Sequence, residues 1–264
     1  MSDFLQAETI SVAHGSAPVN AIIHLPSSKS ESNRALIIQA LAGSGIALEN
    51  LSSARDTQTM MRLLASDAET LDVLDAGTTM RFLTAFCTAA NRPTIMTGTE
   101  RMQQRPLGIL VDALRAIGGN VDYLATEGFP PIKINGFTQS AQQVKIRGDV
   151  SSQYISALLM IAPSLPQGLE IELEGEVGSK PYISMTISLM ERFGVICHWK
   201  ENVIKIAPQQ YKSGQYEIES DWSGASYWFS IVALGQEGSE VFLKGLREDS
   251  LQGDRAIVEI MAQL

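Results

Sequence analysis

A segment that recurs four times along the chain limits its fold more than any other feature. The copies read "SSKSESNRALIIQALAGSGIALENL" from Ser27, "DAGTTMRFLTAFCTAANRPTIMTG" from Asp75, "DVSSQYISALLMIAPSLPQGLEIELEG" from Asp149 and "DWSGASYWFSIVALGQEGSEVFLKG" from Asp221. Each opens on small polar residues, enters a mostly apolar helix of about three turns, breaks, and ends in a short strand. A second helix follows each time, around "DTQTMMRLLA", "RPLGILVDALRAIG", "PYISMTISLMERFG" and "QGDRAIVEIMAQL", with Leu, Met and Ile at helical spacing. Pro106 and Pro181 sit where proline suits a first helical turn. The openings lie about 48, 74 and 72 residues apart, too far for a solenoid.

Strand-like runs such as "VKIRG", "LEIELEG" and "EVFLKG" alternate with the helices, so the pattern predicts an α/β fold. The first helix of each unit is apolar nearly all round and is expected to be buried beneath sheets. Units packed by pseudo-symmetry would bring several helix N-termini to one face. Unpaired N–H groups and aligned peptide dipoles make such a face an anion site. The last unit stops before the glycine that follows the second helix in "LRAIGGNV" and "MERFGVIC", so Leu264 is expected to be a truncation point.

The charge distribution adds a constraint. With 20 Lys and Arg against 29 Asp and Glu, the formal net charge is −9, which disfavours nucleic acid or an anionic membrane as the main partner. Any anion site must then be a local cluster of cations. "PSSKSESNR" is such a cluster: Lys29 and Arg34 sit among serines at the helix end where the dipole disfavours a cation. A phosphate or carboxylate bound there reverses the sign, each charge-assisted hydrogen bond contributing about 1.5–3 kcal/mol. Ser28, Ser30 and Ser32 can cap the helix or donate to the same anion. "DAGTTMR" adds a glycine turn, hydroxyls and Arg81, and "ERMQQRP" carries Arg101 and Arg105. "GDVSSQY" supplies Ser151, Ser152 and Gln153, while "GSKPY" supplies Ser179, Lys180 and Tyr182. Taken singly each reads equally well as capping. Together they describe a surface for a hydroxylated, phosphorylated small molecule.

Other chemistries fit poorly. His14, His24 and His198 lack metal-ligand spacing, and "AGSGIA" is not followed by the Lys and Ser/Thr of a P-loop. Cys87 falls inside an apolar helix and reads as core, and Asp56 and Asp75 read as helix caps. The two cysteines form no paired motif, so a reducing, cytosolic compartment is expected. Neither a membrane-spanning run nor a signal peptide is expected.

"PSSKSESNRALIIQALA", "DAGTTMRFLTAF", "RMQQRPLGILVDAL", "GDVSSQYISALLM", "SKPYISMT" and "DWSGASYWF…SLQGD", in this order, resemble the 5-enolpyruvylshikimate-3-phosphate synthase family over nearly the whole chain. The resemblance implies an inside-out α/β fold of two similar domains, each of three βαβαββ units. Residues 26–220 would form one complete three-repeat domain. Residues 1–25 and 221–264 would form a discontinuous fragment of the second. It further implies transfer of the enolpyruvyl group of phosphoenolpyruvate to shikimate 3-phosphate, with release of phosphate, in aromatic amino-acid biosynthesis. No metal or organic cofactor, nucleic acid or membrane is implied, and the full-length protein would be a cytoplasmic monomer.

Carried over by motif, Lys29 resembles a lysine that touches both substrates. Ser30, Arg34, Ser151, Ser152, Ser179 and Tyr182 resemble shikimate 3-phosphate ligands. Gly77 and Arg105 resemble phosphoenolpyruvate contacts, and Gln153 an amide near both substrates. Asp75 and Phe82 depart from the family, where asparagine and proline are common, and a carboxylate at 75 repels phosphate unless it is paired or protonated. The family's aspartate base, its Lys-Glu-Thr-Asp-Arg segment and its later phosphoenolpyruvate-binding cations would all lie beyond Leu264. This chain alone is therefore expected to bind substrate without turnover. Two other readings are a UDP-N-acetylglucosamine enolpyruvyl transferase, which uses a loop cysteine as acid, and a non-catalytic anion-binding module.

Overall fold

The computed structural model describes residues 17–43 and 45–263. Strand β1 (Asn20–His24) leads into α1 (Lys29–Ala42), β2 (Ile46–Glu49) and α2 (Arg55–Leu64). The next unit comprises β3 (Thr70–Asp72), α3 (Gly77–Ala89), β4 (Thr94–Thr97), a single turn α4 (Glu100–Gln103), α5 (Gly108–Ala116), β5 (Gly119–Tyr123) and β6 (Ile132–Phe137). A third follows as β7 (Gln143–Arg147), α6 (Ser152–Ile161), β8 (Leu169–Glu174), α7 (Lys180–Arg192), β9 (His198–Lys200) and β10 (Val203–Ile206). The chain then forms β11 (Gly214–Glu217), α8 (Trp222–Ala233), β12 (Glu240–Lys244) and α9 (Ile257–Met261).

The second and third units are built alike. Their sheets have the orders β3-β4-β6-β5 and β7-β8-β10-β9. In each, the two strands joined through the long helix are parallel and the remaining pairs are antiparallel. This is the expected βαβαββ unit, twice. The first unit is shorter than expected. Only residues 65–69 separate α2 from β3, which leaves no room for a closing hairpin. Its sheet has two strands, β2 and the distant β11, parallel from Ile46 opposite Gly214 to Glu49 opposite Glu217.

Helices α1, α3, α6 and α7 pack together at the centre, and the sheets cover them. Strands β7 and β8 alternate buried and exposed residues, as a sheet with one face on a core must. Helix α3 is buried along almost its whole length despite four threonines. Thr84 and Thr88 return their hydroxyls to the carbonyls of Met80 and Thr84, at 2.7 and 2.8 Å, so no donor is stranded. Cys87 lies in this core, as expected.

Two expectations are corrected. Helix α8 is not buried: among its residues only Trp222 and Ala225 are, because its described neighbours are only β12, α9, the turn before α9 and a few side chains. Pro106 precedes the Leu107 N-cap of α5 and so lies outside the first turn, whereas Pro181 does occupy the first turn of α7. His14, Leu264 and residues 1–16 of the expected 1–25 fragment lie outside the described residues.

The chain crosses twice between the region of α1–β11 and the region of β1, α8 and β12. The crossings run side by side: Ser28 N donates to Glu219 O and Asp221 N to Pro26 O, both at 2.8 Å. Beyond them, β1 and β12 form a parallel two-stranded sheet. The buried Glu219 carboxylate fastens this junction, accepting from Trp222 Nε1, Arg247 N, Ser250 Oγ and Gln252 Nε2.

Candidate functional site

Four helices begin at one face. Ser28 caps α1, its Oγ accepting from Glu31 N at 3.4 Å, and Ser151 caps α6, accepting from Gln153 N at 3.4 Å. Helix α3 starts without a side-chain cap. Helix α7 starts from Ser179 in the left-handed region, φ 49° and ψ 32°, with its exposed hydroxyl not used in capping. A serine held there is backbone strain retained by its surroundings.

Between these N-termini lies a cavity of about 300 Å³, lined by Lys29, Ser30, Arg34, Thr78, Ser151, Ser152, Gln153, Ser179 and Tyr182. All eight residues expected around shikimate 3-phosphate are therefore brought together. Thr78 joins them, accepting from Gln153 Nε2 at 3.1 Å. It was not singled out in the sequence, although "GTT" at a helix start is its signal. A larger cavity of about 600 Å³ sits at the opposite helix ends, among Leu41, Ala42, Pro163 and Pro208. It has no charged lining residue, and helix C-termini repel anions.

Gly77 and Arg105 adjoin the cavity. The Arg105 guanidinium lies directly on the Gly77 backbone: a Cβ on Gly77 would fall 2.2 Å from Nη1. Only glycine admits this approach. Arg81, which the sequence suggested as a further anion ligand, is instead buried beneath the site. It donates to Gly77 O at 2.9 Å and Pro106 O at 3.0 Å and stacks on Tyr154, so it braces the contact between α3 and the Arg105 loop. Arg101 is exposed on α4 and does not line the cavity.

Neither aspartate is a cap. Asp56 lies in the first turn of α2 and pairs with Lys29 at 3.5 Å, and Asp75 pairs with Arg55 at 3.6 Å. The carboxylate at 75 thus has the cation it needs. Asp221, capping α8, approaches from the other region; burial raises its carboxyl, and nearby Lys29 opposes the rise.

Arg34 is the group that most requires a ligand. It is 2% exposed, and among the described residues no carboxylate pairs with it. Desolvation pulls its pKa down to about 10, so it stays charged at neutral pH inside the protein. An uncompensated buried cation is costly, and an incoming anion removes that cost.

A model of the EPSP synthase family, described as 3-phosphoshikimate 1-carboxyvinyltransferase, matches residues 13–66 and 64–264. The chain belongs to the EPSP synthase family. It is 48% identical over 252 residues to a 3-phosphoshikimate 1-carboxyvinyltransferase of Bacteroides fragilis, covering 94% of this chain and 61% of that relative. A relative of the same name from Shewanella pealeana is 37% identical over 275 residues, covering 93% and 64%. The chain thus spans less than two thirds of these EPSP synthase relatives' lengths. A solved EPSP synthase from Acinetobacter baumannii superposes with a TM-score of 0.77 at 18% identity, over 93% of this chain and 60% of that one, which shows a shared fold.

Proposed function

We propose that this chain is the shikimate 3-phosphate-binding part of an enolpyruvyl transferase that joins phosphoenolpyruvate to shikimate 3-phosphate and releases phosphate. One observation carries the reading: a buried cation that no carboxylate among the described residues pairs with, Arg34, faces a cavity ringed by four helix N-termini and their hydroxyls. Ser30, Arg34, Ser151, Ser152, Gln153, Ser179 and Tyr182 would hold the phosphate and ring hydroxyls of shikimate 3-phosphate. Arg105, seated on Gly77, would hold phosphoenolpyruvate, with Gln153 between the two substrates. Lys29 would reach both and act in catalysis, leaving Asp56 as charge develops on the substrates. In this reading residues 26–220 act as one domain, and residues 221–264 with 1–25 belong to a second.

The sister reaction on a UDP-amino sugar is less well supported, because neither cysteine suits an acid. Cys87 is core, and Cys197 is half-buried with its thiol pushed up to about 12 by burial and by Glu191. Both cysteines are unpaired, in keeping with a cytoplasmic setting.

Calorimetry with shikimate 3-phosphate tests the proposal. The chain is expected to bind it, to lose binding in Arg34→Ala and Ser151→Ala, and to release no phosphate when phosphoenolpyruvate is added. Binding unchanged in both variants would remove the assigned site. Turnover would show that the remaining length of the relatives is dispensable.

A further inference from the structure

Four helices meet at the Arg34 guanidinium. Arg34 extends from α1; its Nε donates to Thr186 Oγ1 of α7 at 2.7 Å, Nη2 to Ser156 Oγ of α6 at 3.1 Å, and Nη1 to Ser30 O at 2.8 Å. Thr186 gives its single proton to Tyr182 O at 2.8 Å, so Ser156 must donate across the 2.8 Å contact between the two hydroxyls. These bonds fix where the guanidinium sits in its own plane. They use three of its five N–H groups, leaving two for a ligand.

Two aromatic rings also hold the guanidinium, and differently. Phe82 of α3 places its ring centroid 5.5 Å from Arg34 Cζ, and Tyr182 of α7 places its own at 5.8 Å. Both are within the range where an aromatic face attracts a cation. Phe82 is fully buried, so its ring is fixed by the core and cannot drift toward solvent. Tyr182 is only half-buried and lines the cavity, where an incoming ligand can displace it.

We propose that Phe82 is a positioning residue of the anion site: its ring holds the Arg34 guanidinium and so sets the direction in which the free N–H groups meet a bound anion. The hold on Arg34 is a property of the ligand-free protein. Its effect on affinity rests on the function proposed above.

Two variants separate this role from core filling. Phe82→Leu keeps an apolar side chain but removes the aromatic face. Phe82→Tyr keeps the face but adds a hydroxyl to a fully buried position. If Phe82 only fills the core, Leu is the milder change, since a stranded hydroxyl costs more than a small void. If the ring holds Arg34, Tyr is the milder change for the site. In ligand-free, nitrogen-15-labelled chain, the Arg34 Nε–H resonance is expected to move downfield and exchange faster with water in Phe82→Leu, to stay near its place in Phe82→Tyr, and the Arg81 Nε–H to stay in both. In calorimetry with shikimate 3-phosphate, Phe82→Leu is expected to weaken binding roughly 2- to 30-fold, the range of one cation–π contact, and Phe82→Tyr to weaken it less. An Arg34 resonance unmoved by Phe82→Leu, or binding weakened more by Tyr than by Leu, would overturn the proposal. If the unsubstituted chain binds no shikimate 3-phosphate, the function reading fails, while the resonances still decide whether Phe82 holds Arg34.

Discussion

Helices α6 and α8 open almost alike, "DVSSQYISALLM" and "DWSGASYWFSIV", yet they meet opposite surroundings. Helix α6 buries nine of its ten residues, all but Gln153, against α3, α7 and α1. Helix α8 leaves Tyr227 73% exposed, and its C-cap Leu234 is 85% exposed. The same pattern of small polar residues followed by apolar ones marks both. Burial comes from the neighbours, which α6 has on all sides and α8 has on one. Sequence identifies a helix that needs covering; topology decides whether the described residues supply the cover.

The comparison can be broken or sharpened in three ways. The largest expected effect is in amide hydrogen exchange. The amides of α3 and α6 should exchange only through near-global unfolding, and those of α8, β1 and β12 through far cheaper local opening, orders of magnitude faster. Uniform protection would show that the two regions unfold as one. A smaller contrast is expected from substitution. Leu158→Ala in α6 should cost about 2–5 kcal/mol in denaturant unfolding, for lost contacts and a cavity, while Leu234→Ala at the C-cap of α8 should stay within about 0.5 kcal/mol. Equal costs would end the distinction.

The smallest effect concerns the boundary between the regions. Glu31 is buried beside Glu219; its Oε1 accepts from Tyr216 OH at 2.6 Å, and its Oε2 has no partner among the described residues. Burial, the main cause, raises its carboxyl above the ordinary 4.5; the hydrogen bonds from Tyr216 OH and Glu219 N oppose the rise, and the charge of the Glu219 carboxylate adds to it. The native state then keeps the proton to higher pH than the unfolded chain. Glu31 therefore costs nothing below 4.5, and stability falls as pH climbs from there through its folded-state value, by at most about 1.4 kcal/mol per pH unit. Glu31→Gln should remove that slope from melting temperatures measured between pH 4.5 and 8. A slope that survives would place its origin elsewhere, with half-buried Asp221 the next group to test.

What the sequence revealed follows from the range of each interaction. The repeat is legible because each polar opening and its apolar helix are contiguous, and two units fold as the pattern predicts. The shortened first unit is not, because β2 finds its partner β11 far along the chain and nothing local in "IALE" announces it. The cluster of Lys29, Arg34, Ser151 and Ser179 is legible as types of residue at helix starts. The roles of the cations within it are not. Arg81 and Arg34 stand alike, each near the start of a helix and each against an aromatic ring, but Arg81 finds two backbone carbonyls while Arg34 finds hydroxyls and the cavity. Only the packing of four helices separates a brace from a cation that faces a cavity. The pairing of Asp75 with Arg55 likewise joins the turn before α3 to the first residue of α2, which no spacing rule connects.

The paired crossings carry a broader implication. The polypeptide enters the larger region at Pro26–Ser28 and leaves it at Glu219–Asp221, hydrogen-bonded to its own entrance. A module whose inlet and outlet touch can be spliced into a surface loop of a host without stretching either partner. Such a layout makes this stretch a natural cassette for engineering.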